Sequence, residues 1–378
     1  MDFEFSPDAL MLRDMLHRFM EKEIRPLERN YVSRGFLEPP EQARVQRAVE
    51  QMGLWGITVP EKWGGGGLDL VTCCLLDEEL GKTFIPVQIG EVPPMLYACQ
   101  GAQAKNYLEP ALAGERKVWL ALREPGALLP EAWTTSAVQQ NGNYVINGDK
   151  LLVGTPDPGD FMIVFAKGAS GVSAFLIDAD QDGLLSVKSI PGRKNEPEGS
   201  VNPVTLRLKD CAVPTDTLLG QEGQALSLGA DLAPVFWIRA GARYVGLADR
   251  LVGMAAEYAR DWVALGEPLQ AKPAVQRMLA EMRVKIDGTR WMVYHAAWTG
   301  DQGKPLQLLA AEVRLSAIEM LQSVVDYSSM IFGGPGPSLA IELQRLVQSP
   351  IPTEAMDIAL RSARSIIAGD LLLTGNGE

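Results

Sequence analysis

Histidine is almost missing from this chain: there are two in 378 residues, His17 and His295. With no histidine cluster in the sequence, a zinc site or a His-dependent triad is not expected. Cysteine is equally sparse, with four, at 73, 74, 99 and 211. Adjacent Cys73 and Cys74 cannot easily bridge each other, and no pair has metal-type spacing, so buried free thiols and no metal site are expected. Basic residues are outnumbered, 35 Lys and Arg against 47 Asp and Glu, for a formal net charge of -12. That balance argues against a nucleic-acid partner, because affinity for a polyanion comes from cations neutralising phosphates. No apolar run reaches the roughly 18 residues that cross a bilayer. The opening MDFEFSPDAL also lacks the basic and apolar regions of a secretory leader. The expectation is a soluble, cytoplasmic protein with no membrane partner.

What is present is enough apolar material, 47% of residues, for a large core, over a length that suggests two or three domains. From Pro7 to about Arg29, Leu10, Leu12, Met15, Leu16, Phe19, Met20 and Ile24 recur at three- and four-residue steps after a Ser6-Pro7 start. This spacing predicts an amphipathic helix with a capped beginning. A second helical run, Glu41 to Met52, leads into GLWGITVPEKWGGGGLDL, where Gly64 to Gly67 read as a turn between helices. From about Val118 the pattern changes to short runs rich in branched and aromatic residues: WLALREPG, YVINGDKLLV, FMIVFAKG, VSAFLIDA, LLSVKSIP and VTLRLKDC. Long helical runs then return over 237–262, 272–299, 305–330 and 355–373, spaced for an antiparallel four-helix bundle. The predicted architecture is multidomain α+β: an N-terminal helical domain (1–117), a middle β-barrel or sandwich domain (118–225) and a C-terminal four-helix bundle (226–378).

Several phrases, in the same order, resemble the acyl-CoA dehydrogenase family. GLWGITVPEKWGGGG is similar to the family's G-L-x-G-x-x-V-P-E-x-Y-G-G-x-G run, LREPG to T-E-P-G, YVINGDK to Y-x-L-N-G-x-K, and CAVPTDTLLGQEGQ to V-P-x-x-x-L-L-G-x-x-G-x-G. The 346–372 stretch, LVQSPIPTEAMDIALRSARSIIAGDLL, resembles the entry to the family's last helix with its glutamate changed. The resemblance implies an FAD enzyme in which the flavin takes a hydride from the substrate β-carbon while a carboxylate removes the α-proton. It also implies an acyl-CoA substrate, an electron-transfer flavoprotein as acceptor, and an oligomer.

Residue by residue, the resemblance sets the base position on Asp357, one methylene shorter than glutamate, and an alanine, Ala359, where a threonine contacts flavin. Asp357 also reads as a first-turn carboxylate of its helix. Relatives that take their base from the first bundle helix have glutamate where this chain has Phe236. The threonine before E-P-G is Arg123, the W-I-T beside the flavin is Leu152-Val153-Gly154, the glutamine before the Gly-Gly pair is Met330, and R-x-x-F-G is Trp262 to Gly266. Cofactor-contacting positions carried over are Leu122, Arg123, Gly154, Thr155, Gly333 and Gly334. Arg239, Arg243 and Arg250 read either as phosphate contacts or as salt bridges, and Trp237, Trp262, Trp291 and Trp298 as core or interface. Three functional readings follow. One is a degenerate subunit of an α2β2 heterotetramer with a paralogous dehydrogenase, acting on a bulky, steroid-side-chain type of acyl-CoA and holding FAD only with its partner. The others are a self-sufficient flavoenzyme using Asp357, and a non-enzymatic acyl-CoA-binding scaffold.

Overall fold

The structure is a computed structural model and describes residues 4–34, 37–85, 87, 89–127, 130–152, 159–188, 204–228, 232–264, 266–333 and 363–372. Ser6 starts the first helix as expected: its hydroxyl accepts from the Ala9 N–H at 3.2 Å, and Pro7 occupies the first turn, where its missing N–H is no loss. Helix α1 (Pro7–Phe19) continues through a π turn (Met20–Ile24) into α2 (Arg25–Arg34), beyond the predicted Arg29. Helix α3 (Pro39–Gln51) opens on a capping box between Glu38 and Glu41. Helix α4 (Leu70–Gly81) is capped by Asp69, which accepts from the Thr72 N–H at 2.7 Å. Two short helices, α5 (Glu109–Leu112) and α6 (Ala225–Leu228), flank the strands. Three long helices follow, α7 (Leu232–Asp261), α8 (Pro273–Asp301) and α9 (Gln307–Phe332), and residues 363–372 form a last helix.

The chain divides into two compact units. A helical unit comprises Met1–Met52, Gly66–Gln88 and Pro234–Glu378, and a β unit comprises Gly53–Gly65 and Ile89–Ala233. The predicted glycine turn marks one crossing between them. At Gly65 a Cβ would collide with the backbone and side chain of Val59, so no larger residue fits the turn.

In the helical unit, Ile238, Val245 and Leu251 of α7, Met282, Ile286 and Val293 of α8, and Val313, Leu321 and Val324 of α9 form one core, which Cys74 of α4 joins. Helix α4 is buried nearly all round, and its consecutive acids each meet a different neighbour. Asp77 accepts from Arg239 Nε at 2.6 Å and Arg243 Nε at 2.7 Å, both on α7. Glu78 accepts from Arg290 Nε and Tyr294 Oη on α8, each at 3.0 Å, and Glu79 lies 2.6 Å from His17 Nδ1 on α1. Asp301, closing α8, accepts from the Leu70 and Val71 N–H groups at 2.7 and 3.0 Å and so caps the start of α4. Glycines let α4 and α7 touch backbone to backbone: a Cβ on Gly81 would strike the Arg243 carbonyl, and one on Gly246 the Glu78 carbonyl.

The β unit holds an eight-stranded sheet built from β1 (Val118–Ala121), β2 (Ser136–Gln140), β3 (Asn143–Leu152), β4 (Phe161–Gly168), β5 (Gly171–Asp178), β6 (Leu184–Lys188), β7 (Val204–Pro214) and β8 (Leu218–Leu219). The strand order is β6-β7-β3-β2-β4-β5-β8, with β1 pairing parallel to β4. The unbroken apolar run of β4 has a simple cause: both faces are covered. Phe161, Ile163 and Phe165 enter a core with Leu96, Leu108 and Trp133, whereas Met162, Val164 and Ala166 enter a second core with Ile146, Leu206 and Cys211.

All four cysteines are buried and free. Among the described residues no helix is long and apolar enough to cross a membrane. Trp262, Trp291 and Trp298 are about half exposed, at 49, 55 and 50%, so they are not core residues; Trp237 packs against the helical core with the Arg314 guanidinium over its ring.

Candidate functional site

In the β unit the two motif phrases LREPG and NGDK meet. β1 ends at Ala121, and an antiparallel bridge joins Arg123 to Leu151, whose N–H donates to the Arg123 carbonyl at 2.8 Å. Beside it lies an ion pair with both partners out of solvent: Lys150 Nζ donates to Glu124 Oε1 at 2.9 Å and also to the Leu122 carbonyl at 3.3 Å. Glu124 further accepts from the Thr134 N–H at 2.6 Å, the Thr134 hydroxyl at 3.0 Å and the Thr135 N–H at 3.0 Å. Burial alone would raise the Glu124 carboxyl, but these donors hold it down at about 2. Burial also lowers the Lys150 ammonium, and the Glu124 charge partly restores it. The Trp133 ring covers Lys150 Nζ at 4.6 Å. A cavity of about 360 Å³ opens along this edge, lined by Glu124, Pro125, Thr134, Asp149, Arg207 and Lys209 among others.

Leu122 is half-buried and packs into the Phe161 core, and Arg123 is also half-buried. The Arg123 guanidinium meets no carboxylate or carbonyl among the described residues, and burial lowers its pKa. The Trp133 indole N–H, buried, likewise has no acceptor among them. At the strand edge Arg123 is thus a cation in want of an acceptor, which suits an acceptor-rich group such as a flavin.

In the helical unit, Gly333 ends α9 with its N–H donating to the Ser329 carbonyl at 3.1 Å. Phe236 and Met330 are each 64% exposed. Arg239, Arg243 and Arg250 are salt-bridge residues: the first two hold Asp77, and Arg250 holds Glu28 through both terminal nitrogens at 2.7 Å. Trp262 stacks on Tyr258 with ring centroids 5.5 Å apart, ahead of a small hairpin, β9 (Val263–Ala264) and β10 (Glu267–Pro268). Asp357, Gly154, Thr155 and Gly334 lie outside the described residues. Sequence reasoning missed the Glu124–Lys150 pair although both residues sit inside quoted motifs. An acid and a lysine, each in a signature of its own, were the available signal.

Comparison with known proteins agrees with this architecture. Residues 6–115 match the model of the acyl-CoA dehydrogenase N-terminal domain, and residues 238–352 that of the acyl-CoA dehydrogenase C-terminal domain. The (R)-benzylsuccinyl-CoA dehydrogenase of Thauera aromatica is 30% identical over 99% of this chain and 98% of its own length. A short-chain specific acyl-CoA dehydrogenase of Clostridium acetobutylicum is 26% identical over 98% of this chain and all of its own. The structure of butyryl-CoA dehydrogenase from Megasphaera elsdenii superposes with a TM-score of 0.82 at 24% identity, covering 98% of this chain and all of that one. With helical, β and helical parts in the family's order and both terminal domain models matched, the chain belongs to the acyl-CoA dehydrogenases, FAD-dependent oxidoreductases.

Proposed function

We propose that this chain is one component of an acyl-CoA dehydrogenase that carries out α,β-dehydrogenation of a bulky acyl-CoA as part of a hetero-oligomer with a paralogous subunit. The observation that carries the reading is the character of the positions where the family keeps polar site residues. Phe236 stands where relatives with a base on the first bundle helix carry glutamate, and Met330 where the family has glutamine. Both side chains are apolar and 64% exposed. Exposed apolar side chains at such positions suit a surface that another chain covers, and they cannot move a proton. The exposed Val284, Trp291 and Trp298, seven residues apart on α8, support the same conclusion.

FAD, when bound, supplies the acceptor for the hydride that leaves the substrate β-carbon. This chain's contribution on the β side is to hold the end of β1 rigid, through Lys150 on the Leu122 carbonyl and Leu151 on the Arg123 carbonyl, with the Leu122 side chain packed inside and Arg123 left to meet the cofactor. Asp357 occupies the family's base position with a reach shorter by about 1.5 Å, which near-attack geometry tolerates poorly. The partner subunit therefore supplies the base, and an electron-transfer flavoprotein takes the electrons. A steroid-like or other ring-bearing acyl group fits a site whose narrowing side chains have drifted. A relative named for benzylsuccinyl-CoA is in keeping with a ring-bearing group.

The test is an absorbance spectrum between about 350 and 500 nm of the chain purified alone and after co-expression with its nearest encoded acyl-CoA dehydrogenase neighbour. Flavin only in the co-purified complex is the expected result. Flavin and turnover in the lone chain would overturn partner dependence and make Asp357→Asn the next variant.

A further inference from the structure

Many of the described arginines spend their charge on a carboxylate. Arg116 holds Asp178, Arg207 holds Asp149, Arg239 and Arg243 hold Asp77, Arg250 holds Glu28, and Arg290 holds Glu78. Arg123 is the exception within the candidate site. It is half-buried, takes no hydrogen bond or ion pair from any described residue, and its backbone is fixed by the Leu151 N–H on its carbonyl. Strand alternation sets Leu122 on the side of Val118 and Leu120, in the Phe161 core, and Arg123 on the side of Trp119 and Ala121. Leu122 and Glu124, the residues on either side, are committed to the interior, Leu122 by packing and Glu124 by Lys150 and two threonines.

A guanidinium taken partly out of water without a counter-charge lowers stability, and such a group persists where a ligand supplies the missing anion. We propose that Arg123 binds an anionic oxygen of the ligand, through the planar fork that suits a carboxylate. Two sources share that chemistry: a free carboxylate on the acyl group, which makes the substrate class a dicarboxylic acid monothioester, and the flavin itself. The proposal rests on the acyl-CoA reading of the site. It adds a charge preference that the reading does not contain.

The experiment titrates succinyl-CoA, butyryl-CoA and FAD into the full chain, with its co-purifying partner where one exists, comparing wild type with Arg123→Gln and Arg123→Lys. Loss of one charge-assisted contact is expected to weaken the affected ligand by roughly 10- to 100-fold. If succinyl-CoA weakens and butyryl-CoA does not, the anion is the substrate's carboxylate. If FAD weakens or its visible spectrum shifts, the anion is the flavin's. In either case Arg123→Lys should recover part of the loss. Equal affinities of wild type and Arg123→Gln for all three ligands would overturn the proposal. Thermal denaturation without ligand gives the second check: Arg123→Gln should be as stable as wild type or more so. A fall in Tm beyond about 3 °C would show a structural partner and also overturn it. The two readings fail separately. FAD uptake together with affinities for FAD, succinyl-CoA and butyryl-CoA that are all indifferent to Arg123 removes this proposal and leaves the dehydrogenase. Succinyl-CoA binding that depends on Arg123 without FAD uptake does the reverse.

Discussion

Glu124 and Lys150 show how much one pair of side chains can hold. Glu124→Gln would leave the Lys150 ammonium, fully buried, with no carboxylate, and the expected loss is about 3–5 kcal/mol, read from the denaturant midpoint. A double change to Glu124→Leu and Lys150→Met removes both charges and should recover most of that loss. The pH dependence has a definite sign. The Glu124 carboxyl titrates at about 2 in the folded chain, below its ordinary 4.5, so its stabilising contribution is complete above about 4.5 and disappears as pH falls toward 2. The gap between wild type and Glu124→Gln should therefore close across that window. The thiols offer a second check at this scale. Burial holds Cys99 and Cys211 up at about 11 and pushes Cys74 well above the ordinary thiol value. A thiol reagent at pH 8 is expected to leave these three unmodified until denaturant is added, and rapid labelling of the native chain would contradict their burial.

Between α4 and α7 the contact is made by backbone, so it should respond to the smallest of substitutions. Gly246→Ala and Gly81→Ala each put a methyl group onto a carbonyl of the opposite helix, with an expected loss of about 1–3 kcal/mol apiece in equilibrium unfolding. Helix and strand placement was legible because periodicity and branched, aromatic runs are local signals; α1 and β4 were found that way. The pairing of elements was not. Arg239, Arg243 and Arg250 stayed divided between phosphate contact and salt bridge, because Asp77 and Glu28 lie more than 150 residues away and no local pattern links them. The candidate site was legible in part for the same reason. The expected cofactor positions Leu122, Arg123 and Gly333 came from the family resemblance, whereas the Glu124–Lys150 bond and the solitary state of Arg123 depend on burial, which a motif does not report. The π turn at Met20–Ile24 also left no mark in the sequence, since the apolar steps around it read as ordinary helix.

For the molecule as a whole, the exposed stripe on α8 sets an expectation that sedimentation can check. If the proposed hetero-oligomer forms through this stripe, Val284→Glu combined with Trp298→Glu should lower its sedimentation coefficient, while leaving the far-ultraviolet circular dichroism of the separate chain unchanged. An unchanged coefficient would place the contact on another face. The order of segments in the two units also bears on how the chain emerges from the ribosome. Residue 228 completes the last described helix of the β unit, so that unit is ready to close as soon as this stretch has been made. The helical unit has to wait. Its α4 presents Asp77, Glu78 and Glu79 early, but Arg239 and Arg243 are added only 162 and 166 residues later, and Arg290 and Tyr294 only 212 and 216 residues after Glu78. During that interval α4 has α1 beside it, with His17 on Glu79, but Asp77 and Glu78 have none of their α7 and α8 partners. Helix α4 is the segment for which a chaperone would be needed first.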